Sequence, residues 1–234
     1  MSLTEAAGAA PLPILFRDAR LLLCDKPSGI VVHRGWADDG GGLVVALRRQ
    51  LGQPVWPAHR LDRGASGVVA FALDRDAAAA LGQAFSSGAV DKRYLALVRG
   101  HPPEHAVIDH PIPAGRHDGD GPRQPAVTEI RRLGVWERYA LVEAIPRTGR
   151  LHQIRRHLKH IACPLIGDVN YGKGDHNRLF RERFGLHRLA LHALSLGVPH
   201  PDDGHLVRAT VRPSGPLAAC LQAIGLWTAI PGNQ

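Results

Sequence analysis

The order of apolar and polar residues predicts short strands, mostly in pairs, with a few helices between them. Alternating or continuous apolar runs between turn residues predict strands at residues 12–16, 21–24, 30–33, 68–73, 92–99, 127–135, 139–145, 192–198 and 206–211. Apolar residues at helical spacing predict helices over residues 43–51, 75–86, 151–162 and 217–226. Because most strands follow one another directly, we expect an α+β fold around a mixed, largely antiparallel sheet.

Three stretches interrupt this pattern. Residues 1–12 are small and tipped with proline, so we expect a flexible N-terminal leader before a single domain over residues 13–234. A run of aspartate and glycine at residues 38–42 predicts a flexible loop. Residues 101–125 contain many prolines and glycines and predict a long loop that adds little to the core.

The chain is strongly basic. It has 29 Lys and Arg residues against 21 Asp and Glu, a formal net charge of +8, which favours a polyanionic partner such as nucleic acid. The cysteines are scattered and form no CxxC pair, and no apolar run is long enough to span a bilayer. We therefore expect a cytoplasmic protein without membrane contact. The sequence has no Walker A or GxGxxG motif, so no nucleotide cofactor is expected.

The first segment with candidate chemistry is residues 59–67, in which Asp62 stands among His59, Arg60 and Arg63. Nearby positive charge lowers the pKa of a carboxyl group, and an ionised carboxylate is what a nucleophile or a base requires. The alternative is that Asp62 makes only turn hydrogen bonds or a surface ion pair.

The second segment, residues 147–160, contains five Arg or Lys residues, three histidines and no acid. Arg155 lies at the edge of its apolar helical face, so we expect a half-buried guanidinium that needs an acceptor, with Asp62 as the candidate. The remaining cations suit phosphate groups, among them Arg150, His152, Arg156 and Lys159. The open alternatives are a solvated basic face, or a metal site built from the histidines at 152, 157 and 160, for which no carboxylate or cysteine lies at ligand spacing.

The third segment, Lys92-Arg93-Tyr94, opens a predicted strand. A tyrosine beside two cations can stack on a base while the cations contact phosphates. The alternative is that Tyr94 is a half-buried residue of the sheet.

Together, and in this order, these segments resemble the RluA-type RNA pseudouridine synthases. The matching strings are His59-Arg60-Leu61-Asp62-Arg63 with Ser66-Gly67, Lys92-Arg93-Tyr94, Thr148-Gly149-Arg150 and His152-Gln153-Ile154-Arg155. Three shorter strings match as well: Lys26-Pro27-Ser28-Gly29, Pro164-Leu165-Ile166-Gly167-Asp168 and Leu191-His192-Ala193. Ala65 departs from the family pattern, which usually has threonine there, and we expect it to loosen the turn after Asp62.

Residues 32–36, 121–128 and 176–186 resemble more closely the branch that modifies uridine 65 of tRNA. The resemblance implies the pseudouridine synthase fold, with helices flanking the sheet and a central RNA cleft, and no S4-like RNA-binding domain is expected. It implies that Asp62 is the catalytic aspartate, that Tyr94 stacks on the target uracil and that Arg155 pairs with Asp62. Arg60 would fill the gap left by the flipped base. Further contacts with the RNA would come from His59, Arg63, Lys92, Arg93, Arg150, His152, Arg156 and Lys159.

The implied reaction converts a uridine in RNA, uridine 65 of tRNA by the closest resemblance, into pseudouridine without a cofactor or a metal. A monomer is expected. Three alternatives remain open: the same reaction on 23S ribosomal RNA or at another tRNA position, an RNA-binding or folding factor without catalysis, and a metal hydrolase built on the histidine-rich helix.

Overall fold

The computed structural model of the protein describes residues 10–33, 42–115 and 121–232. The strands of these residues are β1 (Ile14–Arg17), β2 (Leu21–Lys26), β3 (Trp56–Pro57), β4 (Ser66–Ala72), β5 (Asp91–Arg99), β6 (His105–Asp109), β7 (Ile112–Pro113), β8 (Arg123–Gln124), β9 (Val127–Trp136), β10 (Tyr139–Pro146), β11 (Leu191–Pro199) and β12 (Leu206–Thr210). The helices are α1 (Leu43–Leu51), α2 (Arg75–Ser87), α3 (Gln153–His160), α4 (Gly174–Phe184) and α5 (Gly215–Ala223), followed by a 3-10 turn at Trp227–Ala229.

One large sheet carries the described part of the fold. Its strands lie in the order β1-β2-β4-β11-β5-β10-β9-β6, and β12 and β3 pair with β11 and β4 at the side of this path. The β4–β11 pair is parallel, and the other pairs of this sheet are antiparallel. The prediction of an α+β fold around a mixed, largely antiparallel sheet is therefore confirmed.

The parallel pair of β4 and β11 brings two distant parts of the chain into close contact. Gly67 has φ of 108°, and a Cβ atom there would lie 2.2 Å from the carbonyl oxygen of Ala193. A Cβ on Gly64 would lie 2.9 Å from Cβ of Leu189. The two glycines that follow Asp62 thus let the turn and the start of β4 pack directly against residues 189–193.

The helices cover apolar clusters of the sheet. Helices α1 and α3 pack on one cluster, through residues such as Leu47 and Leu158. Helices α4 and α5 pack on a second through Phe180 and Leu221, and α2 packs on a third through Leu81. None of the helices in the described ranges is long and apolar enough to cross a membrane.

The strand predicted at residues 30–33 is wrong, because this apolar segment bonds elsewhere. The carbonyl of Ile30 accepts a hydrogen bond from Lys26 Nζ at 2.8 Å. The carbonyls of Val31 and Val32 accept from the backbone N–H groups of Leu43 and Val44, the first residues of α1. The segment therefore satisfies the start of a helix instead of joining the sheet.

Residues 101–115 and 121–125, the described part of the predicted long loop, have more regular structure than predicted. They contain β6, β7 and β8, and Ile108 and Ile112 are buried with 5% and 2% of their surface exposed. Helix α4 was not predicted, and α3 begins two residues later than expected. The predicted leader and the loop at residues 38–42 lie mostly outside the described residues; within the leader, the backbone N–H and carbonyl of Leu12 bond to the Gln50 side chain.

Candidate active site

A cleft of about 1440 Å³ runs along the end of β4 where the chain enters the sheet. It is lined by residues from 25–33 and 60–66 and by residues from 151–155, 167–171 and 187–189. The cleft therefore joins two of the three segments with candidate chemistry, 59–67 and 147–160, to the shorter matching strings that contain Lys26 and Asp168. The third segment, Lys92-Arg93-Tyr94, is not among the described residues that line it.

Asp62 lies in this cleft, with 19% of its side chain exposed. Its Oδ2 is 3.0 Å from Arg155 Nη1, which is the contact that the sequence analysis expected. The turn that carries it is closed, since the carbonyl of Asp62 accepts from the N–H of Ala65 at 3.0 Å. Ala65 is itself 1% exposed, so alanine at this position does not open the turn.

Lys26 fixes the same turn from beneath. Its ammonium group is fully buried and donates to the carbonyls of Pro27, Ile30 and Ala65 at 2.9, 2.8 and 2.7 Å, with that of Arg63 at 3.4 Å. Burial and the charge of a nearby arginine lower the pKa of Lys26 to about 8, although the charge of Asp62 opposes this shift. Lysine thus supplies the donors that these converging carbonyls need.

Arg155 is buried and has two carboxylate partners. Its Nε and Nη2 donate to Asp168 at 2.7 and 2.8 Å, which leaves Nη1 for Asp62. Burial lowers the pKa of Arg155, but the bonds to Asp168 and the charge of Asp62 outweigh it, so that the pKa lies above its ordinary value. The guanidinium therefore stays charged and is held in one orientation by the bidentate pair.

Asp168 is 1% exposed, and the loop around it is tightly bonded. Its Oδ1 accepts from the backbone N–H groups of Asn170 and Tyr171, both at 3.0 Å. Asn177 of α4 ties down the same loop, since its Oδ1 accepts from Gly167 N and its Nδ2 donates to the Asp168 carbonyl, both at 2.8 Å. Burial raises the pKa of Asp168, but the bonds to Arg155 and to the backbone lower it further, so Asp168 is anionic.

Tyr171 lies beside this ion pair and was not predicted as a site residue. Its hydroxyl accepts from Arg156 Nε at 3.0 Å and lies 3.1 Å from His152 Nδ1. Its ring faces the Cζ of Arg155 at 5.0 Å and the Nζ of Lys159 at 5.4 Å. These distances suit cation–π contacts, so the ring helps to hold the cations of α3 in place.

Tyr94 lies on β5 and is 9% exposed. Burial and the charge of Asp62 raise the pKa of its hydroxyl, so the phenol is neutral and within electrostatic reach of Asp62. Arg93 comes next to it along the strand, and its side chain forms an ion pair with Glu143 at 2.6 Å. Neighbouring strand residues face opposite sides of a sheet, so Arg93 and Tyr94 point to opposite faces, and the RNA contact of Arg93 stays a prediction.

Three other residues with predicted RNA contacts, His59, Lys92 and Arg156, have hydrogen bonds within the protein. His59 accepts a bond from the N–H of Ala70 at 3.1 Å and stacks on Phe85 at 4.6 Å, and burial lowers its pKa to about 3, so it carries no charge for a phosphate. Lys92 is 9% exposed and donates to the carbonyl of Thr148 at 3.2 Å.

Arg156 is the third of these residues. It is 6% exposed, and its Nη1 and Nη2 donate to the carbonyls of Pro113 and Gly115, each at 2.7 Å. The guanidinium therefore holds the end of β7 and the residues just after it against α3, because its Nη1 and Nη2 donate to backbone carbonyls there.

The other predicted cations do face solvent or the cleft. Arg60 and Arg63 are exposed and line the cleft. His152 also lines it, with Nε2 3.7 Å from Asp62 Oδ1, and burial lowers its pKa although Asp62 opposes this shift. Arg150 and Lys159 are exposed on and beside α3.

Sequence reasoning missed Arg188, which lines the same cleft as Asp62. Its Nη2 donates to Ser66 Oγ at 2.9 Å, and Ser66 lies 2.8 Å from Nδ1 of His192. Nε2 of His192 bonds the Val211 carbonyl at 2.7 Å, so Nε2 carries the proton and Nδ1 accepts from the serine. The string Leu191-His192-Ala193 was the signal that could have led to this network.

The histidines of the basic helix do not converge on a metal. His152 bonds to Tyr171, whereas His157 bonds to Thr128 and to the carbonyl of His110. His160 stacks on the ring of His110 at 3.7 Å. In the described part of the chain, the three therefore have separate partners, which contradicts the metal site left open by the sequence.

Comparison with protein families now gives the class of the protein. The family model described as RNA pseudouridylate synthase matches residues 20–160, more than half of the chain. The chain therefore belongs to the RNA pseudouridylate synthase family, as the RluA-type motifs predicted, and is an RNA-modifying isomerase.

The names of individual relatives are more specific than the family description. A protein of Vibrio cholerae named tRNA pseudouridine synthase C is 40% identical over 212 residues, which cover 81% of this chain and 86% of the relative. A protein of the same name from Salmonella typhimurium is 42% identical over 213 residues, 82% of each chain. The solved structure of human RNA pseudouridylate synthase domain containing 4 superposes with a TM-score of 0.74 at 28% identity, over 91% of this chain and 93% of that one, and confirms the pseudouridine synthase fold.

Proposed function

We propose that the protein converts uridine 65 of tRNA into pseudouridine, with Asp62 as the essential carboxylate. The observation that carries this proposal is the pair of Asp62 and Arg155 at 3.0 Å inside the cleft. It is supported by the names of the relatives, which specify tRNA. A cytoplasmic location is proposed on the same ground.

The position within tRNA rests on the segments that resemble the uridine 65 branch. Residues 121–128 lead into β9, and residues 176–186 form most of α4 and the turn after it. The remaining segment is residues 32–36, of which 34–36 lie outside the described residues. Because α4 holds the Asp168 loop through Asn177, one of these segments is physically connected to the site.

In the proposed reaction, uracil leaves C1′ of its ribose, turns and rejoins the sugar through C5. A uridine inside a stem is out of reach, so it must first be flipped out, at a cost of a few kcal/mol. Asp62 acts on the flipped nucleotide as a nucleophile or as a base, and Arg155 keeps it anionic and oriented. Tyr94 holds the free uracil by stacking, and exposed Arg60 supports the opened helix. No electrons or water are consumed, so the reaction needs no cofactor.

The test is tritium release from tRNA labelled at C5 of uridine. We expect release by the wild type and none by Asp62→Asn, while both bind tRNA equally, because the substitution removes the reactive charge and keeps the shape. A tRNA with cytidine at position 65 should give no product. Full activity of Asp62→Asn would contradict the role of Asp62.

Two alternatives are separated by the same assay. Release from 23S ribosomal RNA, or from the tRNA with cytidine 65, would keep the chemistry and discard the proposed position. Binding of tRNA without release from any RNA would favour a binding or folding factor. The second result is not expected, because a pure binding protein has no need for a carboxylate held at 3.0 Å from a buried arginine.

A further inference from the structure

A second polar cluster joins the turn between β1 and β2 to the turn between β11 and β12. It contains the imidazoles of His200 and His205 and the carboxylates of Asp18, Asp202 and Asp203. None of these residues is among those that line the cleft in the described part of the chain. The cluster therefore has no part in holding Asp62.

His200 is held in the orientation of a metal ligand. Its side chain is 9% exposed, and Nε2 is 2.8 Å from Oδ2 of Asp18. The other oxygen of Asp18 is fixed by the backbone N–H groups of Arg20 and Leu21, both at 2.7 Å. Nδ1 accepts from the N–H of Asp202 at 3.3 Å, so the proton is on Nε2 and the lone pair is on Nδ1. A carboxylate that fixes one ring nitrogen is the usual support of a metal-binding histidine.

The lone pair of His200 faces further ligand atoms. Nδ1 is 3.8 Å from Oδ1 of Asp203, which in turn is 2.5 Å from Nδ1 of His205. The three ligand atoms lie within 4.8 Å of one another. Ligand atoms of tetrahedral zinc are about 3.3 Å apart. Asp203 and His205 are 64% and 58% exposed, so their side chains can move to this spacing without disturbing the core.

Charge favours a cation at this place. Arg20 contacts Asp74 at 3.1 Å and Asp202 at 3.4 Å, and Asp18 and Asp203 lie on the other side of His200. Two carboxylates thus contact the Arg20 guanidinium and two more lie at His200, although the whole chain has a net charge of +8. A region of this sign attracts a divalent cation and not the phosphates of an RNA.

We propose that His200, Asp203 and His205 bind a divalent transition-metal ion such as Zn²⁺ within the turn between β11 and β12, and that Asp18 of the other turn supports the ligand His200. Two imidazole nitrogens and one carboxylate oxygen suit zinc and its neighbours better than magnesium or calcium. On binding, the long hydrogen bond from the Asp202 N–H to Nδ1 of His200 breaks, and that N–H turns to solvent. The proton between His205 and Asp203 moves to Nε2 of His205 or to solvent, and the His205 ring turns away from its stacking on His200 at 4.9 Å.

The test is a calorimetric titration of zinc chloride into the full-length chain without an affinity tag, together with thermal unfolding. We expect one strongly bound ion and a higher Tm. His205→Ala and Asp203→Asn should each weaken binding at least tenfold and remove the rise in Tm. His105→Ala is the matched control, since His105 is also 58% exposed and contacts a carboxylate, Glu129 at 3.2 Å, but belongs to no group of three ligands among the described residues.

Three results would overturn the proposal. They are the absence of bound zinc in the wild type, equal affinity in His205→Ala, and equal loss in His105→Ala. His205→Gln provides a second variant that keeps a polar side chain, and circular dichroism shows whether each variant is folded. Because no RNA is present in the assay, its outcome is independent of the proposed reaction.

Discussion

At the scale of single residues, Arg155 depends on Asp168 for its position. Two of its nitrogens are taken by a carboxylate that is 1% exposed, and only Nη1 reaches Asp62. A flexible guanidinium could approach Asp62 from several directions, but a bidentate partner selects one. Asp168 is therefore a positioning residue for the proposed reaction, and it acts without touching the RNA.

We expect Asp168→Asn to lower kcat by about a hundredfold, because a displacement of about 1 Å in the reacting groups costs that much. KM for tRNA should stay within about threefold, since a buried residue makes no contact with the substrate. Steady-state kinetics with C5-labelled tRNA provides the measurement. Asp175→Asn is the control, because Asp175 is 90% exposed and its ion pair in the described part of the chain is with the exposed Arg178. A higher KM at constant kcat would contradict the positioning role.

We expect the free energy of unfolding to depend on pH because of His192. Burial lowers its pKa to about 4, from an ordinary value of about 6.5. The unfolded chain then takes up a proton that the folded chain does not, so stability is full above about pH 6.5 and is lost as the pH falls towards 4.

Urea unfolding between about pH 7 and pH 5 tests this effect. His192→Gln should reduce the loss of unfolding free energy between pH 7 and pH 5 by about 1.8 kcal/mol relative to the wild type. His187→Gln, at an exposed position, should leave the slope as it is. An unchanged slope in His192→Gln would show that another group causes the effect.

The pair of Asp62 and Arg155 could be predicted from sequence because each residue has a local signature. Asp62 lies among cations, and Arg155 borders an apolar helical face. Asp168 and Lys26 have no such signature, since a single acid or lysine reveals neither its burial nor its distant partners. For the same reason, the sequence did not show that His59 and Lys92 form hydrogen bonds with the backbone of distant residues.

At the scale of elements, α4 is the clearest omission. Its inward face has only Phe180 and Asn177 as buried residues, and most of its other side chains are polar. Apolar periodicity is therefore too weak to predict a helix there. Residues 30–33 show the opposite error, because an apolar run predicts a strand only if a neighbouring strand is available for pairing.

We expect Asn177→Ala to lower the free energy of unfolding by about 2 kcal/mol, because the bonded groups of Gly167 and Asp168 lose their partners. It should also lower kcat, since the loop that carries Asp168 is released. Arg178→Ala on the same helix is the control, because its side chain is 65% exposed. Chemical denaturation and kinetics measure both effects. Loss of stability with unchanged kcat would separate α4 from the site.

At the scale of the whole molecule, the net charge of +8 predicts how binding responds to salt. Each phosphate that a cation neutralises releases counterions, so the affinity for tRNA should fall steeply and linearly on a log–log plot against salt. Arg60→Ala, in the exposed part of the cleft, should reduce the slope by about one. Arg49→Ala, exposed outside the cleft, should not. Fluorescence anisotropy at several salt concentrations measures these slopes. An affinity for tRNA that does not change with salt would contradict an RNA substrate.

The parallel contact between β4 and β11 also determines when the site can form. Ser66 pairs with His192, and Asp62 meets an arginine 93 positions further along the chain. During synthesis from the N-terminus, the segment with the reactive carboxylate leaves the ribosome long before the strand against which it packs. A partly made chain thus carries Asp62 without its supports, and the site can form only after Arg155 and β11 have also been made.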